Sequence, residues 1–130
     1  MMNTDTVGQW LDIGPVTQIK VGTARTLPVA GGEEIAVFLT SRGEFFALVN
    51  KCPHKHGPLS EGLVHGDSVT CPLHNWRISL RTGEALGDDR GCTPTIPVKV
   101  ESGRLFLLRD AVLAPRQLSN VSGCAQEETA

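Results

Sequence analysis

The sequence has few aromatic residues and no large excess of charge of either sign. Tyr is absent, aromatic residues make up 5% of the chain, and 12 Lys and Arg nearly balance 14 Asp and Glu, for a net charge of −2. Single-stranded nucleic acid stacks on aromatic side chains, and duplexes are bound by basic patches, so nucleic acid is not expected as a partner.

Long apolar runs are also missing. No run of about 18 apolar residues occurs, so neither a membrane-spanning helix nor a membrane partner is predicted. The N-terminal residues lack the basic start and apolar stretch of a secretory signal, which makes the cytoplasm the expected location. The 130 residues suffice for one domain and are too few for a two-domain dehydrogenase or a TIM barrel.

Short apolar segments separated by turn residues indicate β structure. Residues 34–39 and 44–49 flank a turn that contains Gly43 and predict a hairpin. Residues 76–81 alternate apolar and polar side chains, as a half-buried strand does. Residues 96–101 alternate in the same way, and because Pro97 lies early in this run, the strand should start there or lie at a sheet edge.

No segment has the periodicity of a long amphipathic helix, and 14 Gly and 8 Pro are spread at turn-like intervals. The predicted fold class is therefore all-β, a small sandwich or barrel, with a mixed α+β domain as the alternative. Residues 110–116 could form a turn or two of helix, and residues 117–130 are polar without periodicity. We divide the chain into a domain at residues 1–109 and a C-terminal tail at residues 110–130, which we expect to be flexible.

Two Pro-containing loops each combine one Cys with one His. Cys52 and His54 form a Cys-x-His pair, Cys71 and His74 form a Cys-x-x-His pair, and 16 residues separate the pairs. Classical zinc fingers take two Cys from a hairpin and two His from a helix, whereas here each loop supplies one of each. If each loop contacts two metals, the two Cys could bind one iron and the two His the other. That is the ligand division of a Rieske 2Fe–2S centre, and a structural zinc site is the alternative.

The sequence around these two Cys and His pairs resembles a known family. The matching segments are CPHKHGPLSEGLV at residues 52–64, CPLHNW at 71–76, TGEA at 82–85 and GCTPTIPV at 91–98. Together they resemble the small subunit of the assimilatory NAD(P)H-dependent nitrite reductase, over roughly residues 10–108. Part of these sequence segments is shared with Rieske ferredoxins.

The resemblance implies a Rieske-like antiparallel β sandwich with a small cluster-binding subdomain built from two loops. It implies Cys52, His54, Cys71 and His74 as the metal ligands of a Rieske 2Fe–2S cluster, and no catalytic residue in this chain. The implied partner is a large siroheme flavoprotein subunit that holds FAD, siroheme and a 4Fe–4S cluster and reduces nitrite to ammonia in nitrate assimilation. This chain would transfer electrons within that complex.

Two other functions stay open. The chain could be a free Rieske ferredoxin that delivers electrons to a ring-hydroxylating dioxygenase, or a zinc-stabilised binding module. The segment at residues 91–95 favours the interpretation as a nitrite reductase small subunit.

The resemblance also predicts a low reduction potential. Respiratory Rieske proteins have an additional Cys in each loop, joined in a disulfide, and the corresponding residues here are Gly57 and Leu73. Fewer hydrogen bonds to the sulfurs should leave the potential near the bottom of a Rieske range of about −150 to +300 mV. A redox titration checks this prediction, and a value in the upper half of that range would contradict it.

Other residues near the two loops have expected structural roles. Gly57 and Gly62 should allow tight backbone geometry, and Trp76 should either shield the cluster or pack in the core. Cys92 is expected to be a small buried side chain, and Cys124 a bystander in the tail. A disulfide between these two is not expected in a reducing cytosol.

Overall fold

The computed structural model describes residues 9–29, 33–52, 58–72, 76–86 and 91–113. Within these ranges the chain forms ten β-strands and one short α-helix. In chain order they are β1 Trp10–Pro15, β2 Ala24–Leu27, β3 Ile35–Leu39, β4 Phe45–Val49, β5 Leu63–His65, β6 Ser68–Thr70, β7 Arg77–Ser79, β8 Thr95–Ile96, β9 Val98–Glu101, β10 Arg104–Leu108 and α1 Arg109–Leu113. Val16–Gln18 and Leu59–Glu61 form 3-10 turns.

The described strands pair in three antiparallel sheets with the orders β1-β10-β9, β2-β3-β4-β8 and β5-β6-β7. The prediction of an all-β antiparallel domain is confirmed. Neighbouring strands β3 and β4 form the predicted hairpin, with Leu39 opposite Phe45 at the turn.

Strand β3 is buried on both faces, which explains its unbroken apolar sequence. Because successive side chains of a strand point to opposite faces, Ile35 and Val37 enter the main core between the first two sheets. Ala36 and Phe38 enter a second core, which β3 and β4 share with β6 and β7 of the third sheet. The small third sheet is thereby fixed against the sandwich.

The strand predicted at residues 96–101 is confirmed from Val98 onward: β9 starts directly after Pro97 and lies at the edge of its sheet, as the position of Pro97 predicts, and only Ile96 belongs to another strand. Strand β8 ends before Pro97 and pairs with β4, whereas β9 begins after Pro97 and pairs with β10 in another sheet. Proline has no N–H group to donate to a ladder, so the pairing is interrupted there and the chain passes from one sheet to the other. The alternation of apolar residues continues through Pro97 because Ile96 and Val98 both contact the main core.

Helix α1 lies within the segment that the sequence predicts to be a tail. Its residues Ala111 and Val112 are buried in the main core, so residues 110–113 pack on the domain. Residues 114–130 lie outside the described residues, and the division at residue 109 stays a proposal. Among the residues that the structure describes, no helix is long and apolar enough to cross a membrane.

A surface ion-pair cluster joins the third sheet to the second. Arg81, which lies beyond β7, donates from Nε to Asp67 Oδ2 at 2.8 Å and from Nη2 to both carboxylate oxygens of Glu44 at 3.0 Å. Its guanidinium carbon also lies 5.1 Å from the ring centroid of Phe46. The hydrogen bond from Arg81 is the main reason that the pKa of Asp67 lies below its ordinary value of 3.8, so this carboxylate is charged near neutral pH.

Replacing Arg81 by Gln is expected to lower the thermal unfolding midpoint slightly, because exposed ion pairs contribute little individually. Salt at about 1 M reduces the screening length to about 3 Å, so the difference from the wild type should shrink there. Thermal unfolding of both proteins at low and high salt checks this expectation. A difference that stays the same at both salt concentrations would show that the charges are not the cause.

Candidate metal centre

The two cysteines predicted as ligands lie in one buried apolar cluster. Cys52 follows the end of β4 and Cys71 directly follows β6. Both side chains are 1% exposed and belong to the second core, together with Leu59, Ile78 and Leu80. Neither is in a disulfide. The fold therefore places in one apolar cluster two Cys side chains that belong to separate loops of the sequence.

His54 and His74 lie outside the described residues, as does Gly57. The structure thus places two members of the predicted ligand set, and the full set stays a prediction. Thiolates suit iron, and two buried Cys side chains fit the inner iron of a mixed-ligand cluster. Where the chain is described, no group of three or more His, Cys, Asp or Glu side chains could hold a metal ion.

The second loop, residues 71–76, is closed by a backbone hydrogen bond. The N–H of Cys71 donates to the carbonyl of Trp76 at 2.7 Å, so the two ends of the loop are held together. Trp76 is partly buried against the second core. Its side chain therefore packs on the same apolar cluster that contains both cysteines.

The first loop, residues 50–60, returns to the fold through Leu59, which is fully buried in the second core. Gly62 follows and lies against the end of β6, where an added Cβ would be 2.1 Å from the carbonyl oxygen of Thr70. The φ of Gly62 is −82°, so Gly is required here by space and not by backbone conformation. The prediction that Gly62 allows tight geometry is confirmed, and its close contact sets the exit of the first loop next to Cys71.

A segment after the third sheet supports the end of β4. The N–H of Thr93 donates to the carbonyl of Gly83 at 2.8 Å, and its Oγ1 donates to the carbonyl of Val49 at 3.0 Å. The N–H of Val49 in turn donates to the carbonyl of Pro94 at 3.0 Å. Residues 82–85 and 91–98, which carry part of the family resemblance, therefore meet in space and hold the strand that leads to Cys52.

Asn50 is a site residue that sequence reasoning missed. It lies two residues before Cys52 and is 6% exposed, and its side-chain amide bonds to Glu34 and to Ser60 at the other end of the first loop. The available signal was a polar residue at the end of an apolar strand, close to a candidate ligand.

The expectation for Cys92 is partly wrong. The residue is buried at 5% exposure, but it is in a disulfide, whereas Cys52 and Cys71 are not. The expectation used the redox compartment, which does not determine which thiols the fold brings within reach. Cys124 lies outside the described residues.

The comparisons with known proteins agree that the chain is similar to Rieske proteins. The family model of the Rieske [2Fe-2S] domain matches residues 9–97. The ferredoxin component of the naphthalene 1,2-dioxygenase/salicylate 5-hydroxylase systems of a Ralstonia species is 36% identical over 104 residues, which cover 75% of this chain and 93% of that protein.

Solved protein structures share the fold, among them the following two. The ferredoxin of Sphingomonas yanoikuyae B1 has a TM-score of 0.69 at 26% identity, covering 77% of this chain and 98% of that chain. A Mycobacterium tuberculosis protein described as an NADH-dependent nitrite reductase small subunit has a TM-score of 0.69 at 23% identity, covering 77% of this chain and 94% of that chain.

Proposed function

Since this chain belongs to the Rieske [2Fe-2S] domain family, we propose that Cys52, His54, Cys71 and His74 hold its 2Fe–2S cluster. The family and the Rieske-like fold predicted from the sequence are confirmed. We further propose that the protein is the electron-transfer small subunit of an NAD(P)H-dependent nitrite reductase.

In this proposal the chain's residues hold the cluster, and the reaction centre lies in the partner subunit. When bound, a cluster of this kind accepts and releases one electron at a time. The apolar cluster around Cys52 and Cys71 keeps water from the thiolate ligands, and imidazoles such as those of His54 and His74 suit an outer iron close to solvent. Nitrite reduction and NAD(P)H oxidation would take place in the large siroheme flavoprotein.

The observation that carries the nitrite reductase proposal is the pairing of residues 82–85 with residues 91–93. The carbonyl of Gly83 accepts from Thr93, and the N–H of Ala85 donates to the carbonyl of Gly91 at 2.8 Å. Two separate parts of the resemblance thereby form one unit beside the cluster loops. The Mycobacterium tuberculosis structure supports the proposal only in showing that a protein so described has this fold.

A dioxygenase ferredoxin is the second candidate, favoured by the 36% identity to the Ralstonia ferredoxin component. Both candidates are electron carriers that act with an oxygenase or reductase component. Membership of the family argues against the zinc-stabilised module.

Anaerobic purification of the tagged chain from cells grown with nitrate as nitrogen source separates the two candidates. We expect a large subunit with siroheme and flavin absorbance to co-purify, and NAD(P)H-dependent nitrite reduction to require the small chain. Purification with a ring-hydroxylating oxygenase, and no nitrite reduction, would contradict the proposal and support the second candidate.

A further inference from the structure

We propose that Asn50, oriented by Glu34, is a positioning residue that joins the two ends of the first loop and so determines how firmly the 2Fe–2S cluster is held. The inference rests on the proposed role of Cys52 as a ligand. It concerns residues that hold the loop and do not contact the cluster.

The amide of Asn50 makes three hydrogen bonds that span the loop. Its Nδ2 donates to Glu34 Oε1 at 2.8 Å and to Ser60 Oγ at 3.0 Å, and its Oδ1 accepts from the N–H of Ser60 at 2.8 Å. Cys52 lies between these two ends, two residues from Asn50. A single buried side chain therefore fixes both the start and the return of the segment that contains the first Cys-x-His pair.

The amide can adopt only one orientation. Turning it over would place Nδ2 against the N–H of Ser60 and Oδ1 against the Glu34 carboxylate, which are two repulsive contacts. The backbone N–H of Asn50 also donates to the carbonyl of Glu34 at 2.8 Å. Glu34 therefore holds Asn50 through both its main chain and its side chain.

The elements on both sides of Asn50 are themselves fixed. Val49 is bonded to Thr93 and Pro94 on one side of β4, and Leu59 is fully buried beside the cysteines. Asn50 connects these two anchored points. Without its bonds, the loop would keep its anchors but lose the link that fixes the distance between them.

The geometry allows the polarity of the Asn50–Glu34 pair to be exchanged. In Asn50→Asp, a carboxylate replaces the amide donor and faces the Glu34 carboxylate, so the contact becomes repulsive. In the double variant E34Q/N50D, the amide introduced at position 34 donates to the carboxylate introduced at position 50, and the pair again carries a single negative charge. This new carboxylate can still accept from the N–H of Ser60, and the Ser60 hydroxyl can turn to donate.

The test measures the rate of cluster loss to a chelator under anaerobic conditions, by visible absorbance and by EPR. Loss of a contact that orients metal ligands typically weakens metal binding about 10- to 100-fold, and we expect N50D to lose its cluster faster by that factor. E34A should show a smaller acceleration, E34Q should resemble the wild type because Gln keeps the acceptor, and E34Q/N50D should recover most of the loss.

Thr40 provides the matched control at the other end of the β3–β4 hairpin. It is also fully buried, and its Oγ1 accepts from the N–H groups of Arg42 and Glu44 at 3.2 and 3.3 Å. Thr40→Val should destabilise the fold without accelerating cluster loss, when each protein is measured equally far below its own unfolding midpoint.

N50D that loses its cluster no faster than T40V would overturn the inference, and so would a double variant no better than N50D. If N50D does not fold, the same measurement is made on E34A, which changes the exposed residue of the pair. An E34A protein that loses its cluster at the wild-type rate would then contradict the inference. The proposed ligand set is tested separately: if a variant that lacks one of the four proposed ligands keeps its cluster, that ligand assignment is wrong.

Discussion

The His74→Ala variant is expected to lose the 2Fe–2S cluster while its β framework stays folded. Removal of one of two imidazole ligands leaves the outer iron with an open position, and Ala cannot replace the nitrogen donor. The two cores are built from other residues: the main core takes apolar side chains from β3, β4, β8, β10 and α1, and the second core takes them from β3, β4, β6 and β7. Iron and sulfide analysis, together with the EPR spectrum of the reduced protein, measures the loss.

His65→Ala is the matched control for this experiment. His65 is exposed in β5, and only its backbone carbonyl takes part in a described side-chain hydrogen bond, from Ser68 Oγ at 3.0 Å. This variant should keep the full iron content and the wild-type spectrum. An unchanged Rieske spectrum in His74→Ala would show that the ligand assignment is wrong.

Gly62→Ala is expected to destabilise the fold strongly, at the point where the first loop returns to the sheet. The added Cβ would meet the Thr70 carbonyl oxygen at 2.1 Å and Val69 Cγ2 at 2.9 Å. The carbonyl belongs to the backbone of β6, so no rotamer change relieves the contact, and β6 or the first loop must move. Overpacking typically costs about 1–3 kcal/mol, and the backbone partner places this case at the upper end.

Whether Gly62→Ala lowers or raises the free energy of unfolding decides whether the close contact exists. Because Gly62 has an ordinary φ of −82°, Ala would be expected to stabilise the protein by about 0.4–1 kcal/mol if the space were open. Gly43→Ala is the contrasting control: the φ of Gly43 is +82° and nothing lies within 4 Å, so only backbone strain of about 1–2 kcal/mol is expected. Denaturant unfolding of the three proteins gives the values, and a Gly62→Ala protein as stable as the wild type would refute the close contact.

The sequence alone predicts the parts of the fold whose pattern is local. The β3–β4 hairpin is marked by two apolar runs and the turn at Gly43, and β7 by the alternation at residues 76–81. Strands β1 and β2 were not predicted, because β1 contains Gly14 and a bulge between Asp12 and Gly14, and both strands are half-exposed. Pro97 predicted the start and the edge position of β9, but alternation alone did not show that Ile96 pairs in a different sheet.

In the candidate site, too, only the features with a local sequence pattern could be predicted. The Cys and His spacing is a local signal and identifies the loops, whereas the residues that support them are distant in sequence. Asn50 meets Glu34, 16 residues away, and Thr93 meets Val49, 44 residues away, and neither pairing has a local pattern. Such contacts depend on the register of strands that the sequence does not specify by itself.

Metal analysis with EPR of the anaerobically purified and dithionite-reduced protein tests the central claim most directly. The account predicts two iron and two sulfide per chain, as a 2Fe–2S centre requires, and the rhombic signal of a mixed Cys and His ligand set. A colourless protein with one zinc per chain, or a reduced cluster with the signal of four Cys ligands, would contradict it.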